Sequence, residues 1–150
     1  MKIEDVIQQK QFESEYQKLA INLLYTSAWI TSYQQRFFKQ HNLTMQQYNI
    51  LRILRGQKGS AITMNDVTCR MIDKMSNTSR IVDKLVSKGW VDRNPGEKDR
   101  RQVMVKITAS GLQLLEEMDQ EVSKMNQDFA NISETEAAQL NDLLDKMRTK

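Results

Sequence analysis

Apolar residues recur at helical spacing along most of this chain, and the spacing changes only between about residues 90 and 107. From about residue 8 to 40, Tyr16, Leu19, Leu23, Ala28, Ile30 and Phe37 fall in register on one side, which predicts a single long helix ending near His41-Asn42. Thr44 and Gln47 form a capping box for a second helix, which carries Tyr48, Leu51, Ile53 and Leu54 to about Arg55, where Gly56 stops it. Gly59 to Ile62 reads as a short extended link. Thr63 then starts a compact helix with Met64, Val67, Thr68 and Met71 facing inward. After a bend at Ile72-Asp73, another helix is predicted over about 74–88, closed by Gly89.

The period then shifts. Trp90 to Arg93 and Gln102 to Ile107 read as two strands, with turn chemistry from Asn94 to Asp99. Thr108 caps a long helix to about Asn131. Its Leu112, Leu115, Met118, Val122, Met125, Phe129 and Ile132 recur at steps of three and four, a narrow seam that invites pairing with another helix. Ser133 and Glu136 form a second capping box. The last helix, to about 148, carries Ala137, Leu140, Leu143, Leu144 and Met147. The fold class expected is mainly α with a small β-hairpin, in one domain spanning 1–150.

Composition narrows the class. At 150 residues, 39% hydrophobic and 27% charged, the chain can bury a core without staples. It has no apolar run near the roughly 18 residues that span a membrane, and its polar start is unlike a signal peptide. The single cysteine, Cys69, fits a reducing cytoplasm, and a buried spectator thiol is its expected state. His41 is the one histidine and sits at a helix end, where capping is its expected role. No metal, cofactor or catalytic constellation is expected. HExxH, CxxC and phosphate-cradling glycine loops are absent, and Glu116 and Glu117 point different ways on a helix.

Charge points to a partner. Net charge is only +3, but residues 70–106 hold ten Lys/Arg against five Asp/Glu, whereas residues 107–150 hold four against nine. Such clustering is the footprint of a polyanion-binding segment. On the helix predicted over 74–88, Thr78, Ile81, Val82 and Leu85 converge on one face that must be buried. Lys74, Ser76, Asn77, Ser79, Arg80 and Lys84 remain to face outward. Arginine can donate two hydrogen bonds to guanine and asparagine can pair with adenine. The short helix before it, joined by a tight bend, makes the pair a helix-turn-helix. The hairpin adds Lys98, Asp99, Arg100 and Arg101. Asp99 lies two residues before Arg101, close enough to hold that arginine in one rotamer for entry into a narrow minor groove.

LTMQQYNILRIL, DKMSNTSRIVDKLVSKGWVDR and EKDRRQVMVKITASG closely resemble the MarR family of bacterial transcription regulators. The most specific block is the Asp-Arg-Arg turn, a strand, then Ile-Thr with Gly111 three residues after Thr108. The resemblance covers about residues 30–120. It implies a winged helix-turn-helix over about 44–108, with helices at about 8–40 and 108–148 that intertwine two copies into a homodimer. By that resemblance the recognition helix is 74–88, the wing arginine is Arg101, and Leu112, Leu115, Val122, Met125, Phe129, Leu140 and Leu144 make dimer contacts. It also implies a partner in double-stranded DNA, repression more often than activation, and release by a small aromatic or phenolic effector in a crevice near Tyr25, Trp29, Tyr33 and Arg36. Asp73 and Met75 match no base preference. Cys69 does not stand near the first helix, where peroxide-sensing family members carry a cysteine. A rival reading is a helical protein-interaction module without DNA binding. Against it, the helix at 74–88 shows a polar outer face where a protein interface would expose an apolar anchor.

Overall fold

The structure, a computed structural model, describes residues 1–97, 99–128 and 131–149. Two compact units make up the chain, Met1–Leu115 and Glu116–Lys150. The first holds α1 (Ile3–Val6), α2 (Glu15–Gln40), α3 (Met45–Arg55), β1 (Ile62–Thr63), α4 (Met64–Arg70), α5 (Thr78–Ser87), β2 (Val91–Pro95), β3 (Val103–Ile107) and the start of α6 (Ala109–Asp128). The second holds the rest of α6 and α7 (Glu134–Arg148).

The long first helix expected from about residue 8 starts only at Glu15, and a separate short helix, α1, precedes it. Ser14 is extended and accepts a hydrogen bond from the Gln17 amide, so α2 begins there, and Gln8 lies in the left-handed region with φ +54°. Periodicity alone misses this, because a cap overrides the apolar spacing upstream of it. The Lys18 ammonium donates to the Glu4 carboxylate at 2.5 Å, tying α1 to α2 and holding the Glu4 carboxyl below the usual carboxylate range. The starts of α3, α4 and α7 follow the sequence. Thr44–Gln47 and Ser133–Glu136 are complete capping boxes, and the Thr63 hydroxyl accepts from the Asp66 amide.

The core of the first unit gathers Phe38 from α2, Ile50, Leu51 and Leu54 from α3, Val67 from α4, Val82 and Leu85 from α5, and Val91, Val105 and Ile107 from the sheet. Every one is buried. Each such side chain contributes about 1.5–3 kcal/mol of transfer free energy, which is what fixes α5 against α3, α4 and β2. Ile81, placed by the helical wheel on the same face, is only half-buried.

The sheet has three antiparallel strands in the order β1-β3-β2. The segment expected to be a plain extended link supplies the third, with Ile62 opposite Val105 and Thr63 opposite Met104. Without it, β3 would leave a row of unpaired backbone groups on that side. Asn94 and Pro95, expected in the turn, continue β2 opposite Met104 and Val103. Proline is admissible there because β2 is an edge strand.

Two glycines join the hairpin to its neighbours. Gly89 follows α5 with φ +74°, its amide bonded to the Val86 carbonyl and the Trp90 amide to the Leu85 carbonyl. That is a Schellman stop, which only a residue at ease in the left-handed region closes cheaply. Gly111, in the first turn of α6, runs against the backbone of Trp90, and a Cβ there would lie 2.3 Å from the Trp90 carbonyl oxygen.

Candidate nucleic-acid interface

The helix predicted from 74 begins at Thr78. The physical reason is Asp73. Its carboxylate accepts from the Met75 amide at 3.0 Å and from the Ser76 hydroxyl at 2.7 Å, closing a turn in place of a first helical turn. Those two bonds hold the Asp73 carboxyl below its ordinary value, the hydroxyl of Ser76 contributing most. Asn77 is then the N-cap, its side-chain oxygen accepting from the Arg80 amide at 3.1 Å. Lys74, Ser76 and Asn77 therefore precede the helix rather than lying on it. Lys74 is turned back onto the Cys69 carbonyl. Cys69 itself is exposed, not the buried thiol expected, because α4 directs Val67 inward and Cys69 outward.

On α5 the sides separate as the sequence indicated. Thr78, Val82 and Leu85 are buried; Arg80 and Lys84 are exposed, and Ser79 is half-buried. The positive end of the α5 backbone and the Arg80 guanidinium thus share one exposed end of the helix.

The wing is anchored to α5 by a salt bridge that sequence reasoning missed, between Arg93 of β2 and Asp83 of α5. Its signal was a pair of opposite charges ten residues apart on either side of Gly89, which only tertiary geometry brings together. At the tip, Asp99 Oδ1 accepts from the Arg101 amide at 3.0 Å and from Arg101 Nε at 3.2 Å. The carboxylate is half-buried, while the Arg101 side chain is 93% exposed, so the guanidinium is tethered at its base and open at its end. Gly96 closes the same turn. Its amide donates to the Gln102 carbonyl at 2.9 Å, and a Cβ there would meet the Asp99 carbonyl at 2.7 Å. Arg100 is exposed beside this pair, and Lys98 lies outside the described residues.

The residues assigned to an effector crevice all lie on α2. Trp29 and Tyr33 stack with ring centroids 6.5 Å apart, and Tyr25 and Trp29 stand exposed on α2. Arg36 instead lines a shallow cavity of about 320 Å³ with Ser32, Gln35 and Lys39, without an aromatic ring. Of the expected dimer contacts, Leu115, Val122 and Met125 are buried within the single chain, whereas Leu112 and Leu140 are exposed and Leu144 is half-buried. Phe129 lies outside the described residues. A seam at steps of three and four marks a helix that pairs; it does not say whether the partner is this chain or another.

Comparison with known proteins gives the same architecture. Residues 43–103 match the MarR family model. The chain is 31% identical over 117 residues to the HTH-type transcriptional repressor IacR of Pseudomonas putida, covering 77% of this chain and 68% of that protein. It is 32% identical over 108 residues to the multiple antibiotic resistance protein MarR of Escherichia coli K12, covering 71% and 74%. A crystal structure of a mutant MarR from E. coli complexed with operator DNA superposes with a TM-score of 0.81 at 26% identity, over 93% of this chain and 100% of that one. The chain belongs to the MarR family of winged helix-turn-helix transcriptional regulators.

Proposed function

We propose that this regulator is a repressor that binds a pseudo-palindromic operator as a homodimer, with the exposed end of α5 in the major groove and Arg101 of the wing in the minor groove. The observation that carries the reading is the Asp99–Arg101 pair, an arginine fixed at its base and open to solvent at its end. An isolated ion pair so exposed adds little to stability. Its use is to pre-order a guanidinium for a partner with strong negative potential. The relative seen with operator DNA supports the same partner.

The homodimer draws support from apolar surface. Only Phe38 is buried among the 26 residues of α2, while Tyr16, Leu19 and Leu24 are exposed; on α7, Leu140, Leu143 and Met147 are exposed and nothing is buried. Apolar surface of that extent marks an interface. Two copies would place their α5 helices in grooves about one helical turn apart, roughly 34–36 Å. A small aromatic or phenolic effector would act by favouring a dimer whose α5 helices have the wrong separation, lowering affinity by its differential binding. Exposed Tyr25 and Trp29, with Tyr33 and Arg36, are the residues to probe for it.

The test is selection of bound duplexes from a random pool, with the protein's mass measured by light scattering. A two-fold symmetric motif and a dimer are the expected result. A monomer, or duplex retention lost on raising salt without any enriched motif, overturns the proposal in favour of a protein-interaction module.

A further inference from the structure

The turn that delivers the chain into α5 presents two apolar side chains to solvent, Ile72 at 80% and Met75 at 93% exposure. Single apolar residues on a mobile surface need no explanation. Here the backbone beneath them is pinned. The Ile72 amide donates to Asn49 Oδ1 at 3.0 Å, the Met75 amide to Asp73 Oδ1 at 3.0 Å, and the Ser76 amide to the Asp73 carbonyl at 3.3 Å.

The polar side chains of the same turn are engaged in local hydrogen bonds. The Ser76 hydroxyl donates to Asp73, the Lys74 ammonium to the Cys69 carbonyl, and the Asn77 side-chain oxygen receives the Arg80 amide. The more exposed of the two apolar side chains is Met75, two residues before the α5 cap.

We propose that Met75 is a specificity-determining residue that packs against the C5-methyl of a thymine in the major groove. This rests on the reading of α5 as the groove-entering helix. The thymine methyl is the one apolar group a base presents in that groove, and methionine is flexible and polarizable enough to meet it. The surroundings select this occupant over an apolar protein partner. Arg70, Lys74, Arg80 and Lys84 flank the turn in sequence, and a protein interface is depleted in charge at its centre.

The experiment uses the full chain and an operator obtained by selection, with thymines replaced one at a time by deoxyuridine, which removes only the methyl. One thymine per half-site loses about fourfold in affinity on replacement, the worth of one buried apolar carbon. Met75→Ala, which removes the contact from both half-sites of the dimer, loses about sixteenfold on the thymine operator and no longer distinguishes uracil at that position, with an unchanged salt slope. Met75→Leu keeps the discrimination. Because Met75 is almost fully exposed, none of these variants is compromised in folding. Thymine–uracil discrimination that persists in Met75→Ala, or is absent in the parent protein, overturns the inference while leaving DNA binding intact. Failure to bind any duplex overturns the DNA reading along with it.

Discussion

Removing Arg101 should cost this protein DNA affinity and salt dependence together, in amounts that can be worked out beforehand. The Arg101 side chain is 93% exposed and is tethered to Asp99, itself half-buried. Arg101→Ala should therefore leave the melting temperature within a few degrees, since an exposed pair adds little. Each phosphate neutralised contributes about 0.9 to the slope of log affinity against log salt. For two wings in a dimer the slope should fall by about 1.8. Extrapolated from 1 M to 0.15 M salt, the loss is about fivefold per wing and thirtyfold per dimer. Asp99→Ala separates aiming from charge. It frees the guanidinium, which must then be ordered on binding at a cost of about twofold to tenfold per wing, but it leaves the positive charge, so the slope should not fall. Fluorescence anisotropy from 50 to 300 mM salt measures both quantities. An Arg101→Ala protein with parental affinity and parental slope would refute the wing assignment. An Asp99→Ala protein that matches Arg101→Ala in slope would refute the view that Asp99 acts by positioning.

Three further variants examine the supporting structure. Leu85→Ala empties a fully buried site beneath α5 and should cost about 2–5 kcal/mol in urea unfolding; a loss under 1 kcal/mol would mean α5 is not seated by that side chain. Asn77→Ala removes the cap on the Arg80 amide and should destabilise by about 1 kcal/mol, with a parallel drop in operator affinity; unchanged stability would show that the start of α5 is held by other contacts. Leu143→Glu puts a charge on an exposed apolar position of α7 and should shift the mass seen by light scattering from dimer to monomer; a dimer of parental affinity would move the interface away from α7.

The sequence carried the helices, their caps and the buried side of α5, because local spacing and capping chemistry decide those features. Thr44–Gln47, Thr63 and Ser133–Glu136 are legible for that reason. It did not reveal that Asp73 would take the hydrogen bonds of a first helical turn and delay α5 to Thr78, because an aspartate there suits a helix start as well as a turn. The third strand was hidden because two residues have no measurable period; only the open side of β3 calls for Ile62 and Thr63. The Arg93–Asp83 bridge joins positions that become neighbours only after the chain has turned at Gly89. Asp99 and Arg101 were legible because two residues in a turn can reach each other without tertiary help. The apolar seam of α6 was legible only as a spacing. Spacing identified α6 as a pairing helix, yet Leu115, Val122 and Met125 are covered within one chain, which no periodicity could indicate.

Gly111 sets helix propensity against steric exclusion, and the sign of Gly111→Ala decides between them. On propensity alone, alanine inside α6 should stabilise by about 0.8–1 kcal/mol. The geometry predicts the reverse. The new Cβ would sit 2.3 Å from the Trp90 carbonyl oxygen and 2.8 Å from Ile107 Cγ1, both closer than contact allows. Ile107 is buried and cannot swing aside. Nor can α6 slide away. The Thr108 amide bonds the same Trp90 carbonyl at 3.1 Å, the Thr108 and Ser110 hydroxyls both donate to the Gly89 carbonyl at 2.8 Å, and the Gly111 amide donates to Thr108 Oγ1 at 3.1 Å. Relief requires breaking part of that cluster, so overpacking of about 1–3 kcal/mol should outweigh the propensity gain. Near the melting point the net loss, up to about 2 kcal/mol once the propensity gain is subtracted, corresponds to a fall of up to about 8 °C for a chain of this length. Because the clash lies between the start of α6 and the strand leading into the wing, operator affinity should fall as well, even though Gly111 itself meets no DNA. A protein that melts at or above the parental temperature would show that the close approach is not a constraint, and would remove the physical reason for glycine three residues after Thr108.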